Sequence, residues 1–220
     1  PGTANWYSST CNACSAGCGT IVKVREGRPV KVEGNPDNKI NNGGLCAVGH
    51  AELLSLYDKA RYETPLKGTK KTDKDTLDKE VMAVLDQINA EKGNIVILSS
   101  TINSPSTLRA IGEFTKKYTG TKHIQFEEFS SYAITAANEK SFGKAVLPQY
   151  RFDKANVIVS FGADFLGTWI APVQFTQQYT AARRAIKGMS RHIQYETNLS
   201  LTGSNADVRI PIAPSQEGVY

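Results

Sequence analysis

Long apolar runs are missing from this chain. Its longest, Ile95-Val96-Ile97-Leu98 and Ala155-Asn156-Val157-Ile158-Val159, fall far short of the about 20 residues that a membrane-spanning helix requires, so no segment is expected to cross a bilayer. Also absent are a Walker-type glycine-lysine loop, a G-x-G-x-x-G turn opening a helix, and an elbow serine with a histidine and an acid in order. Conventional ATPase, dinucleotide dehydrogenase and hydrolase readings are therefore weak. A dense basic stripe interleaved with aromatics is lacking too: the net charge of +5 comes from 26 basic and 21 acidic residues scattered along the chain. Nucleic-acid binding is not expected, and the local cluster of Lys67, Lys70, Lys71 and Lys74 reads as a solvated face or a docking surface for an acidic partner. Residues Pro1 to Asn5 show neither a charged nor an apolar signal region, so a signal peptide is expected to have been removed or never present.

What remains is a globular composition, with 40% hydrophobic and 21% charged residues among 220, enough to bury a core. Residues 6–66 read as a compact, loop-rich module. Ile21-Val22-Lys23-Val24 and Pro29-Val30-Lys31-Val32 are short β candidates around a glycine turn at Gly27, as in a hairpin. Asn35-Pro36-Asp37-Asn38 and Asn41-Asn42-Gly43-Gly44 form turns that fold the chain back. A short helix is expected from Ala51, through Leu53, Leu54, Leu56 and Tyr57, with Pro65 closing the module.

The rest has α/β rhythm. Helices are expected over 77–88, after Ser104 with Pro105 in the first turn, near 132–138 and over 173–185. Strands are expected at 95–98, 122–126, 155–159, 192–195 and 208–212. This order predicts an α/β fold with an open, mostly parallel sheet, divided into an amino-terminal domain at 1–66 and an α/β domain at 67–220. The chain stops at Tyr220, soon after Pro211 and Pro214 and without a closing helix, which suggests a segment of a longer polypeptide.

The chain has four cysteines. Cys11, Cys14 and Cys18 form C-x2-C-x3-C, and Cys46 follows after 27 residues. Four thiolates so spaced match the ligation of a [4Fe-4S] cluster, one loop wrapping three corners and the distant cysteine closing the fourth. Gly17 and Gly19 would let the backbone pass close to sulfide with amides turned inward. A four-cysteine zinc site is the main competitor, although its usual second C-x2-C pair is absent; two disulfides, for which three pairings exist, or free thiols remain open.

The cysteine pattern, followed by Gly44-Leu45-Cys46-Ala47-Val48-Gly49, Leu56-Tyr57-Asp58-Lys59-Ala60-Arg61-Tyr62 and Pro65-Leu66, resembles the amino-terminal iron-sulfur domain of molybdopterin bis-guanine-dinucleotide oxidoreductases. Phe152-Asp153-Lys154-Ala155-Asn156-Val157-Ile158-Val159-Ser160-Phe161-Gly162-Ala163-Asp164 is similar to that family's strand and loop beside one guanine dinucleotide. The residues from Phe161 to Trp169, Glu196, and those from Leu201 to Arg209 resemble more particularly the large iron-sulfur subunit of bacterial alternative complex III. Two positions depart from the wider family. Val48 stands where the family often has Lys or Arg, and Pro214-Ser215-Gln216-Glu217-Gly218 replaces a Pro-Gly-Thr-Asp-like nucleotide loop.

The resemblance implies a cluster held by Cys11, Cys14, Cys18 and Cys46, no molybdenum-pterin cofactor, no catalytic residues and no independent catalysis. It implies an electron-transfer or structural domain of a quinol-oxidising complex that passes electrons toward cytochromes c. Its partners would be a ferredoxin-like iron-sulfur domain, cytochrome c subunits and integral-membrane quinol-binding subunits, on the periplasmic side of the bacterial inner membrane. The alternatives are the beginning of an active molybdenum enzyme of the polysulfide, thiosulfate or formate type, and a zinc-stapled scaffold.

Other polar residues have plain readings. His50, four residues after Cys46, is expected to be a hydrogen-bonding histidine, and His123 and His192 are assigned to structure. Asp164, at a strand's carboxyl end, suits capping better than a nucleotide contact. Asp207 and Arg209 are expected to pair, with Arg183-Arg184 on a helix surface.

Overall fold

The alternating apolar residues on either side of Glu26-Gly27 need a tight reversal. These two residues provide it with φ of 51° and 74°, the left-handed pair of a type I′ hairpin. The computed structural model of the chain, which describes residues 2–128, 130–184 and 188–220, accordingly pairs β2 (Gly19–Arg25) with β3 (Arg28–Gly34), antiparallel and with Val22 opposite Val32. A further strand, β1 (Asn5–Thr10), joins the other edge of β2. Its Asn-Trp-Tyr-Ser-Ser-Thr sequence has no alternation to announce a strand; the open edge of β2 recruits it. The chain returns through 35–44 and enters α1 (Ala47–Ala51), followed by a 3₁₀ turn at Glu52–Leu56.

Packing divides the chain into two compact units, one formed by residues 1–53 with 131–220 and the other by 54–130. The second unit holds a small hairpin of β4 (Leu66–Lys67) and β5 (Lys70–Lys71), then α2 (Lys74–Ala90), β6 (Ile95–Ser99), α3 (Pro105–Lys117) and β7 (Thr121–Gln125). Caps set where its helices begin. Asp73 accepts the Thr76 amide at 2.8 Å, and Ser104 caps α3 with Pro105 at its first turn, the two devices that satisfy or remove orphan N–H groups. β6 and β7 run parallel with α3 as the crossover. In the lysine cluster, Lys67 pairs with Glu80 at 2.7 Å and Lys74 with Asp78.

The first unit continues with α4 (Tyr132–Phe142), β8 (Val157–Phe161), α5 (Pro172–Arg183), β9 (Arg191–Glu196), α6 (Leu201–Ser204) and β10 (Val208–Pro211). Its sheet has the order β10-β9-β8, all parallel. β8 begins two residues later than the apolar run suggests, because Phe152-Asp153-Lys154 closes a 3₁₀ turn that uses the Ala155 amide. Of the helix expected over 173–185, α5 realises the part up to Arg183; Ala185 lies outside the described residues. The chain is thus α/β, a small strand-rich amino-terminal region followed by parallel-sheet structure, with the parallel strands paired in two sheets, one in each unit.

The core of the first unit draws Phe175 and Tyr179 from α5, Ile158 from β8, and Phe152 and Phe165 from the flanking turns. The rings of Phe152 and Phe165 stack at 4.3 Å. On β8 the period of two buries Ile158 and Ser160 and leaves Val157 and Val159 exposed. The inner face of β9 is polar yet fully buried, presenting His192, Gln194 and Glu196 in a row. Each is satisfied within the fold: Tyr179 Oη lies 3.1 Å from His192 Nδ1, Gln194 Oε1 lies 3.3 Å from His192 Nε2, and Gln194 Nε2 donates to Glu196.

The expected Asp207–Arg209 pair does not form. Register places Arg209 opposite Gln194, within reach of Glu196, and Arg209 Nε donates to that carboxylate at 2.6 Å. Asp207 instead takes a two-toothed bond from Arg183 at 2.6 and 2.9 Å, and its Oδ2 also accepts the His192 amide at 2.7 Å. Burial pushes the Glu196 carboxyl up, but hydrogen bonds from Ser200 and Arg209 outweigh it and hold the group below its ordinary value. The Arg183 guanidinium holds Asp207 at about 2, against 3.8 when unperturbed.

Phe165 is 1% exposed, and Phe165→Ala is expected to cost about 3–5 kcal/mol, read as a lower denaturant midpoint with an unchanged slope. Because the folded Asp207 has a depressed pKa, its contribution is complete above its unfolded value of 3.8 and is lost as pH falls toward about 2. Asp207→Asn should flatten the loss of stability across that window in acid-titrated thermal melts.

Candidate metal centre

Two buried and two exposed thiols make up the cysteine set. Cys11 ends up immediately after β1 and Cys18 immediately before β2, both buried; Cys14 and Cys46 are exposed, and all four are free. The two buried cysteines are tied through the backbone, the Cys11 amide donating to the Cys18 carbonyl at 2.9 Å. That bond continues the β1–β2 ladder by one rung and pinches the C-x2-C-x3-C segment into a closed loop. Cys46 arrives as the N-cap of α1, its Sγ accepting the Gly49 amide at 3.4 Å.

One side chain joins these two segments. Asn41, 1% exposed, accepts the Gly19 amide through Oδ1 at 3.0 Å, and its Nδ2 donates to the carbonyls of Gly19 at 2.9 Å and Gly44 at 2.7 Å. Every hydrogen-bonding group of the amide that the fold needs is used. Gly44 in turn lies against α5: a Cβ there would come within 2.9 Å of both Val173 Cγ1 and Gln177 Nε2. Only a residue without a side chain lets this loop sit so close. Turn propensity alone was the sequence signal for Asn41; its role as a clamp needs the long-range return that the fold supplies.

The amides flanking Cys18 do not point as expected. Gly17 N–H goes to the Cys14 carbonyl at 3.4 Å and Gly19 N–H to Asn41, because the hairpin and the clamp claim them first. Gly17 does adopt the left-handed conformation, with φ of 57°.

Burial pushes both the Cys11 and Cys18 thiols up. At Cys11 the Glu52 carboxylate, which accepts a hydrogen bond from the thiol, adds to the effect, and at Cys18 the charges of Cys14 and Cys46 do so. Cys18 is therefore the thiol that senses most of the set, and mutual repulsion of this kind is relieved by a cationic centre among the sulfurs. Among the described residues no three His, Cys, Asp or Glu side chains converge tightly enough to hold a single ion. A cubane binds its thiolates on separate irons, and a donor set of four free thiols fits it.

The remaining polar residues go elsewhere. The exposed His50 has its Nδ1 2.9 Å from the Val32 carbonyl. His123 bonds Ser99 at 2.9 Å while Glu127 accepts the Thr101 amide at 2.6 Å, so this pair shares nothing. Asp164 accepts the amide and hydroxyl of Thr202 at 3.0 and 2.8 Å, in the first turn of α6, whose N-cap is Ser200. Val48 is 64% exposed.

Comparison with known proteins points the same way. Residues 4–58 match the molybdopterin oxidoreductase Fe4S4 domain. The chain is 24% identical over 222 residues to the menaquinone reductase molybdopterin-binding-like subunit of Nitratidesulfovibrio vulgaris, covering 99% of this chain and 32% of that protein. It is also 24% identical over 237 residues to the arsenate respiratory reductase molybdopterin-containing subunit of a Shewanella species, covering 99% of this chain and 27% of that one. A nitrate reductase of Symbiobacterium thermophilum shares 40% identity over 47 residues, 21% of this chain and 6% of that enzyme. The chain thus spans about a third or less of the length of these relatives.

Asn41→Ala would bury an unpaired Gly19 amide and an unpaired Gly44 carbonyl, each worth about 1–3 kcal/mol, while the Gly19 carbonyl keeps the Asn35 amide at 2.9 Å. Thermal unfolding should show a loss of this size, and Asn41→Asp, which sets a carboxylate against those carbonyls, should lose at least as much.

Proposed function

We propose, from the premise that this chain belongs to the molybdopterin oxidoreductase superfamily, that it is an electron-transfer and structural part of a quinol-oxidising respiratory complex of the alternative complex III kind. Cys11, Cys14, Cys18 and Cys46 hold a [4Fe-4S] cluster in a module of residues 1–66, and residues 67–220 form part of a molybdopterin-oxidoreductase-like α/β domain that works without a molybdenum cofactor. The observation that carries the reading is the four-thiol set on a hairpin and a return loop clamped together by Asn41.

A bound cluster supplies one-electron transfer. The protein contributes the rest: β1 and β2 bring Cys11 and Cys18 together, the Gly49 amide donates to the Cys46 sulfur, and Asn41 keeps the two segments at a constant separation. Such amide and burial effects tune a cluster's potential. No residue of the chain is assigned a catalytic step.

A relative named as a menaquinone reductase subunit supports a membrane quinone at one end of the electron path. Exposed Val157 and Val159, on a parallel sheet of the type ordinarily covered on both faces, support a larger assembly around this chain. In it we place a ferredoxin-like iron-sulfur domain, cytochrome c subunits that receive electrons and integral-membrane subunits that bind quinol, on the periplasmic side of the bacterial inner membrane. No helix among the described residues is long and apolar enough to cross a membrane, which leaves the quinol site to those partners. A second reading, favoured by the relative named as a molybdopterin-containing arsenate respiratory reductase subunit, is the beginning of an active molybdenum enzyme.

Metal and sulfide content of the anaerobically purified full-length protein, with EPR after reduction, decides between them. The expected result is about four irons and four acid-labile sulfides assigned to this domain, lost in Cys18→Ser, and no molybdenum. Molybdenum with bound pterin would establish the second reading, and zinc in the four-cysteine site would reduce the module to a scaffold.

A further inference from the structure

In a parallel α/β sheet, phosphorylated ligands enter the crevice at the carboxyl ends of the strands, where bare backbone and free amides receive the phosphate. Here that place is the turn after β8. Gly162, with φ of 60°, offers the bare backbone, yet a Cβ on it would stand 3.1 Å from Glu217 Oε1. The carboxylate of Glu217 therefore already lies against Gly162.

Four amides of the turn that carries Glu217 are already engaged. The Ala213 amide donates to Gln216 Oε1 at 2.9 Å, the Gln216 amide to the Ala213 carbonyl at 2.9 Å, the Glu217 amide to Pro214 at 3.4 Å and the Val219 amide to Gln216 at 3.0 Å. On the strand side, the Gly162 amide goes to Tyr195, the Leu166 amide to Thr202 Oγ1, and those of Gly167, Thr168 and Trp169 to the Asp164 carbonyl. Asp164 itself, the other carboxylate of this turn, is engaged by Thr202. A diphosphate entering here would meet the Glu217 carboxylate, with these amides already committed.

We infer that Glu217 is a specificity-determining residue that shuts nucleoside diphosphates out of the turn at the end of β8, so the groups present do not fit the diphosphate of a pterin dinucleotide. The inference rests on the proposed reading of a domain that works without that cofactor, and it names the residue responsible.

Equilibrium dialysis with GDP, applied to the full-length protein and its Glu217→Gln and Glu217→Gly variants, tests it. Both variants are expected to bind GDP at least tenfold more tightly than the unaltered protein, with unchanged circular dichroism showing that the fold is retained. Equal binding by all three proteins, or no gain on removing the charge, would overturn the inference. Failure of the functional reading is seen separately, as molybdenum in the native protein, whatever the variants do.

Discussion

Everything proposed for the cysteine set depends on one buried amide. Cys18 immediately precedes β2 and Cys46 caps a helix, with 27 residues between them; the β2–β3 hairpin takes up the first part, and the return segment 35–45 has to be anchored beside Gly19. Asn41 fixes that segment by closing two hydrogen bonds across the gap to Gly19 and a third within the return loop to Gly44, in a site sealed from water. In water such bonds would exchange for solvent at little net gain. Buried, their loss leaves the Gly19 amide and the Gly44 carbonyl without a partner, and that asymmetry makes the clamp hold. Gly44 then transmits the position to α5, so the cysteine loop and the α/β core of the same unit are positioned together.

The electrostatics follow a similar logic of containment. Glu196, Arg209, Arg183 and Asp207 are charges brought into or beside the core, and each is matched within the unit. Glu196 shows the competition: desolvation alone would favour its neutral form, and the donors from Ser200 and Arg209 reverse that. A buried pair of this kind adds little over an apolar alternative, but removing one partner is costly. The row on β9 is therefore better understood as a requirement of arrangement than as a source of stability.

Much of this architecture was legible in the sequence, and for reasons that can be named. The Arg25-Glu26-Gly27-Arg28 turn, the Ser104-Pro105 helix start and the strand through Val157, Ile158 and Val159 are local signals, and each appears where local chemistry dictates. Cysteine spacing likewise grouped three thiols on one short segment, which the fold places between β1 and β2, with Cys46 apart from them at the start of α1. The parts that were not legible depend on partners distant in sequence. β1 exists because β2 has an edge to fill; the Gly17 and Gly19 amides turn away from the sulfurs because Cys14 and Asn41 claim them; and Asp207 takes Arg183 because the parallel register gives Arg209 to Glu196. Spacing along the chain carries no information on such competitions.

The polar inner face of β9 has one more consequence. Side chains alternate between the two faces of a strand, so sliding β9 by a single residue against β8 would exchange His192, Gln194 and Glu196 for Arg191, Ile193 and Tyr195 beneath α5. An apolar strand can tolerate such a slip, since one greasy side chain replaces another. Here it would push Arg191 into the core without an acid, take His192 away from the Tyr179 hydroxyl and take Glu196 away from Arg209. The buried polar row thus behaves as a key cut for one lock: it admits a single alignment of the central strand and rejects the neighbouring ones.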